Sequence, residues 1–119
     1  MTPPLRSAAV AGTWYPASSG ALAREVDRYV ETAGESPEGA IQAIVVPHAG
    51  IMFSGPVGAC AFKAAARQDY DVSVLVGPSH FAAFDGVALY PEGAFACPFG
   101  PIDVDAAVAA AIAAESDAI

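Results

Sequence analysis

The apolar positions of the chain alternate between spaced and continuous stretches, and each kind predicts its own element. Leu22, Val26, Tyr29 and Val30 recur four, three and one apart on one face, which predicts a helix. Ser18 or Ser19 can cap it, and Gly34 is placed to end it near Ala33. After a polar turn at 35–39, Ile41 to Val46 is a short, almost wholly apolar run rich in β-branched residues, suited to a strand covered on both faces. The loop Pro47 to Gly55 follows, then an alanine-rich helix expected from Pro56 to Gln68 with Pro56 in its first turn. Val72 to Val76 reads as a second buried strand, stopped by Gly77-Pro78, and Val87 to Tyr90 as a shorter third. Residues 91 to 101 read as irregular. Asp103 or Asp105 can cap a final helix, in which Val104, Val108 and Ile112 recur every four residues. The opening segment, with Ala11-Gly12-Thr13-Trp14-Tyr15-Pro16, has too many breakers for a strand and reads as an ordered loop.

This order predicts an α/β fold, a parallel or mixed sheet with flanking helices, as a single domain over residues 1–119. The sheet so read is small, and the last helix would normally feed another strand. The expectation is that the chain is the N-terminal part of a longer domain. Composition points the same way, because 55% of residues are apolar and only 15% charged, a thin polar shell for so small a core. The spare apolar surface is expected to dock on a missing C-terminal half or in a homo-oligomer.

The net charge of −8 excludes nucleic acid and anionic membrane surfaces as natural partners. Cys60 and Cys97 have neither the number nor the spacing of a disulfide framework or a zinc ribbon and read as reduced thiols. Cys60, among helical alanines, is expected to be buried. No signal peptide and no apolar stretch of membrane-spanning length occurs, so a soluble cytoplasmic protein is expected.

Candidate chemistry concentrates in two loops. His48 lies two residues beyond the first expected strand and His80 four beyond the second. If those strands are neighbours, about 4.8 Å apart, the two imidazoles start close together at the end of the sheet where ligands gather. Histidine is a common metal ligand, but two do not complete a site, and Cys97, Asp85 and Ser79 are the only further donors in view. The competing reading makes each histidine a hydrogen-bonded loop residue. No G-x-S-x-G elbow or phosphate-binding loop is present.

Four motifs carry a family resemblance: Ala11-Gly12-Thr13-Trp14-Tyr15, Pro47-His48-Ala49-Gly50, Gly77-Pro78-Ser79-His80, and Cys97-Pro98-Phe99-Gly100 followed by Val104-Asp105. In this order they resemble the successive motifs of the Memo family, whose bacterial branch includes protein B of the AmmeMemoRadiSam system, and they resemble its N-terminal part only. The resemblance implies a fold similar to the class III extradiol dioxygenases, which use non-haem iron. It also implies that His48 and His80 contact a metal, iron or copper, with a third ligand, a cysteine, in the part of the family beyond this chain. Cys97 stands where relatives carry threonine or a small residue and does not take that role.

Trp14 borders the family's cleft, which accepts peptide or phosphopeptide ligands in some members. It reads equally well as a stacking face for a small-molecule or peptide ligand or as core packing. Gly50 and Gly55 are expected to turn the backbone with positive φ and keep the pocket open. Ser79, like Ser54, can bond a ligand, although a local backbone bond is the simpler role. The leading expectation is a metal-binding protein with redox or dioxygenase-like chemistry, in which two histidines and one further ligand leave positions for substrate and O₂. The alternative is a non-catalytic peptide- or protein-binding module using the same pocket. A fragment without function of its own is a third possibility.

Overall fold

The computed structural model describes residues 4–119. Its contacts divide it into two compact units, residues 8–70 and a second unit formed by 71–119 together with the N-terminal residues up to Ser7.

The 8–70 unit is a pair of helices preceded by a tight loop. In that loop Trp14 and Thr13 donate their N–H groups to the Val10 carbonyl, and Gly12, at φ 83°, bonds Tyr15, a conformation that glycine adopts without steric cost. Helix α1 spans Ser19–Thr32, and the Ser18 hydroxyl accepts from the Ala21 N–H at 3.2 Å, satisfying one of the orphan donors at a helix start. It ends with Ala33 in extended conformation. Gly34 is not left-handed; the closing contact comes instead from Lys63, whose Nζ donates to the Ala33 carbonyl at 2.8 Å.

Helix α2 spans Ile51–Ala65, starting earlier and ending earlier than its sequence suggests. The Gly50 carbonyl accepts from Phe53 and Ser54, and the Ile51 N–H is held by the Trp14 carbonyl at 2.8 Å. These bonds nucleate the first turn before Pro56, which therefore lies inside the helix. The two helices meet at Gly55, where a Cβ would come within 2.5 Å of the Tyr29 ring. Gly55 is thus helical and serves close packing, and Gly50 has a φ of −51°; neither has the expected positive φ. Leu22, Tyr29, Ala59 and Ala64 form the buried core of this unit.

The second unit carries a mixed three-stranded sheet, β1 Leu5–Arg6, β2 Ala94–Cys97 and β3 Gly100–Asp103. β1 runs parallel to β2, with Leu5 opposite Ala94, and β2 pairs antiparallel with β3, with Phe95 opposite Ile102. Gly93, at φ 97°, lets the chain pass the Pro4 carbonyl, where any Cβ would clash, and Gly100 takes φ 115° at the hairpin. Tyr90 packs edge-on to Phe95, and the Arg6 guanidinium lies 5.3 Å from that ring's centre. Helix α3 spans Ala106–Ala114, capped by Asp105, whose Oδ1 accepts from Ala107 and Val108.

The mixed sheet with helices bears out the α/β class, but its strands are not those expected. Residues 41–46, 72–76 and 87–90 join no ladder among the described residues, whereas 94–103, most of it inside the 91–101 stretch expected to be irregular, forms a hairpin. Apolar β-branched residues favour extended backbone, yet a ladder exists only where a second segment offers its N–H and C=O groups. At 94–103 the turn between β2 and β3 supplies that partner locally. At Ile41 the partner is a side chain: the Gln68 amide accepts from the Ile41 N–H at 3.1 Å and donates to the Ile41 carbonyl, which also accepts from the Tyr70 hydroxyl.

Candidate functional site

His48 belongs to the 8–70 unit and His80 to the other, and both are exposed. His48 follows the run 41–46 and lies two residues before Gly50, the N-cap of α2. Among the described residues neither histidine follows a ladder strand, so their candidacy rests on the motifs.

Around His48 the loop is fixed by its neighbours. The Trp14 carbonyl holds Ile51, and the Ser54 hydroxyl donates to the Ala49 carbonyl at 2.9 Å. Trp14 thereby ties the first motif to the residue that follows the second through its backbone, and as a residue it is 47% exposed. Gly50 contributes only backbone, its carbonyl accepting the first helical bonds. Next to this loop, Val26, Val30, Val46, Pro47, Ile51 and Phe62 line an almost wholly apolar groove of about 320 Å³. The sequence reading placed Val26 and Val30 on a helix face, Val46 in a strand and Pro47 and Ile51 in a loop, and the groove was not legible because Ile51 joins α2 only through the early start set by Trp14.

Around His80 the Ser79 hydroxyl closes a turn, donating to the Ala82 carbonyl at 2.6 Å and accepting from the Ala82 N–H. This is the local backbone role that Ser54 also plays. Cys97 sits at the end of β2 with its thiol donating to the Gly100 carbonyl. Cys60 is exposed rather than buried: Gly58 and Ala59 face the core of α2, and the next residue, about 100° further round the helix, turns outward. Among the described residues no group of three or more His, Cys, Asp and Glu side chains comes together to hold a metal. No helix among them is long and apolar enough to cross a membrane.

The family model described as Memo-like protein matches residues 6–119. The chain belongs to the Memo family. Within it, a MEMO1 family protein of Thermococcus onnurineus is 37% identical over 111 residues, which cover 92% of this chain and 38% of that protein. One from Methanopyrus kandleri is 34% identical over 116 residues, covering 90% of this chain and 41% of the relative. The memo-1 homologue of Caenorhabditis elegans is 34% identical over 100 residues, covering 84% of this chain and 28% of the relative. The chain thus spans about two-fifths or less of the length of these Memo relatives.

Proposed function

We propose that this Memo-family chain contributes His48 and His80 as ligands to an iron- or copper-binding pocket with redox or dioxygenase-like chemistry, on a fold akin to the class III extradiol dioxygenases and in the cytoplasm. The observation that carries this reading is the match over residues 6–119, which takes in both histidine motifs. In this reading the remaining ligand is the cysteine that the family resemblance implies beyond this chain. No catalytic step is assigned to it.

The test is metal content after anaerobic purification, comparing the chain with a form extended to the length of its relatives. Iron or copper near one equivalent in the longer form only, lost in His48→Ala and in His80→Ala, is the expected result. Metal retained in both variants, or absent from the extended form, overturns the assignment.

A second reading is a peptide- or protein-binding module without turnover. It is favoured by the half-exposed Trp14, whose backbone carbonyl anchors Ile51 on the wall of the apolar groove. Quenching of the single tryptophan by a bound peptide in metal-free protein would separate it from the first.

A further inference from the structure

Two residues of α2 meet the segment that carries His48. The Ser54 hydroxyl donates to the Ala49 carbonyl at 2.9 Å and lies 3.4 Å from the Gly50 carbonyl. A serine inside a helix commonly bonds the carbonyl four residues back, which here is Gly50. The shorter bond goes instead to the residue five back, outside the helix. The backbone donors nearby are already engaged, Ile51 with Trp14 and both Phe53 and Ser54 with Gly50, so the Ala49 carbonyl is left to this hydroxyl. One turn further along the same face of α2, Gly58 is buried, and a Cβ there would stand 4.0 Å from the Cβ of Val46. Val46 therefore lies over bare helix backbone.

His48 is strung between these two attachments. Only Pro47, whose ring fixes its φ, separates it from Val46, and the next residue is Ala49, whose carbonyl is held by Ser54. We propose that Ser54 is a positioning residue for His48: by holding the Ala49 carbonyl it fixes the backbone that carries the imidazole, with the Val46–Gly58 contact as the second anchor. The proposal rests on the reading of His48 as a metal ligand given above and adds the residue that sets its orientation. A ligand whose geometry is fixed in advance binds metal more tightly than one that must be ordered on binding.

The experiment measures NMR relaxation of backbone amides in the full 119-residue chain, free of metal, and in its Ser54→Ala and Ser54→Thr variants. In the unsubstituted chain the order parameters of His48 and Ala49 should lie near the rigid value of about 0.85, and in Ser54→Ala they should fall below about 0.6. Those of residues 55–65 should not change, and Ser54→Thr, which keeps the hydroxyl, should restore His48 and Ala49. In the form extended to the length of the relatives, affinity for iron or copper, measured by competition with a chelator, should drop about 10-fold in Ser54→Ala and return in Ser54→Thr. Three results overturn the proposal: rigid His48 and Ala49 in Ser54→Ala, a loosening that spreads through α2 and so makes Ser54 a general support of the helix, or undiminished metal affinity in Ser54→Ala. An extended form that binds no metal at all sinks the metal assignment alone, and the order parameters still decide this one.

Discussion

Tyr29 joins packing and electrostatics in one side chain. Its ring fills the space that Gly55 leaves open, and its hydroxyl donates to Glu25 Oε1 at 2.9 Å. That hydrogen bond, then desolvation and the Glu25 charge, raise its pKa above the ordinary value near 10, with Arg28 opposing. The neutral phenol is the form favoured by folding, so its contribution is fully present below the unfolded-state pKa and is lost as pH rises through the higher folded value. In an alkaline titration followed by tyrosinate absorbance, one of the four tyrosines should ionise late, and Glu25→Gln should bring it down. An identical titration in the variant would refute the assignment. Gly55→Ala puts a methyl group within 2.6 Å of two Tyr29 ring carbons, and overpacking of this kind costs about 1–3 kcal/mol. The loss should appear as a lower urea midpoint and shrink in a Tyr29→Leu background, because the two positions share one contact.

At the level of elements, ends and edges are held by side chains reaching across the sequence. Lys63 serves the end of α1 at the Ala33 carbonyl, where a cation is also favoured by the helix dipole. Lys63→Met keeps the aliphatic stem and should cost about 0.5–1.5 kcal/mol in urea unfolding. The Gln68 amide stands in for a neighbouring strand at Ile41, and Gln68→Ala should release the start of the 41–46 run, seen as faster exchange of the Ile41 amide with α2 protection unchanged. Such contacts explain what could be read from sequence. The caps were legible to within two candidates each, Ser18 or Ser19 and Asp103 or Asp105, because their chemistry is local, and the structure selects Ser18 and Asp105. The start of α2 was not, since it depends on the Trp14 carbonyl, and the β2–β3 hairpin was hidden because Gly93, Pro98 and Gly100 look like breakers. The motifs around His48 and His80 were legible as sequence. Their surroundings were not, because the expected strands acquire a ladder only from a partner.

For the whole molecule, the decisive contrast, within each unit taken by itself, is between a small core and many exposed apolar residues. Among the described residues only Leu22, Tyr29, Ala59, Ala64 and Ala109 are buried apolar side chains, while Val45, Leu75, Val76 and Phe81 are almost fully exposed. Burial of apolar area is the main term opposing the conformational entropy of the chain, so stability should be low and unfolding weakly cooperative. A fully packed domain of 119 residues would unfold with about 80 kcal/mol near 60 °C, at roughly 0.7 kcal/mol per residue. Calorimetry of the isolated chain should give well under half of that, and the chain should bind an apolar dye, as proteins with exposed apolar surface do. Helical circular dichroism should persist, because the capped helices and the α1–α2 contact need no further partner. A sharp transition at the full enthalpy in the isolated chain, with no dye bound, would mean that these apolar residues are covered within the chain itself.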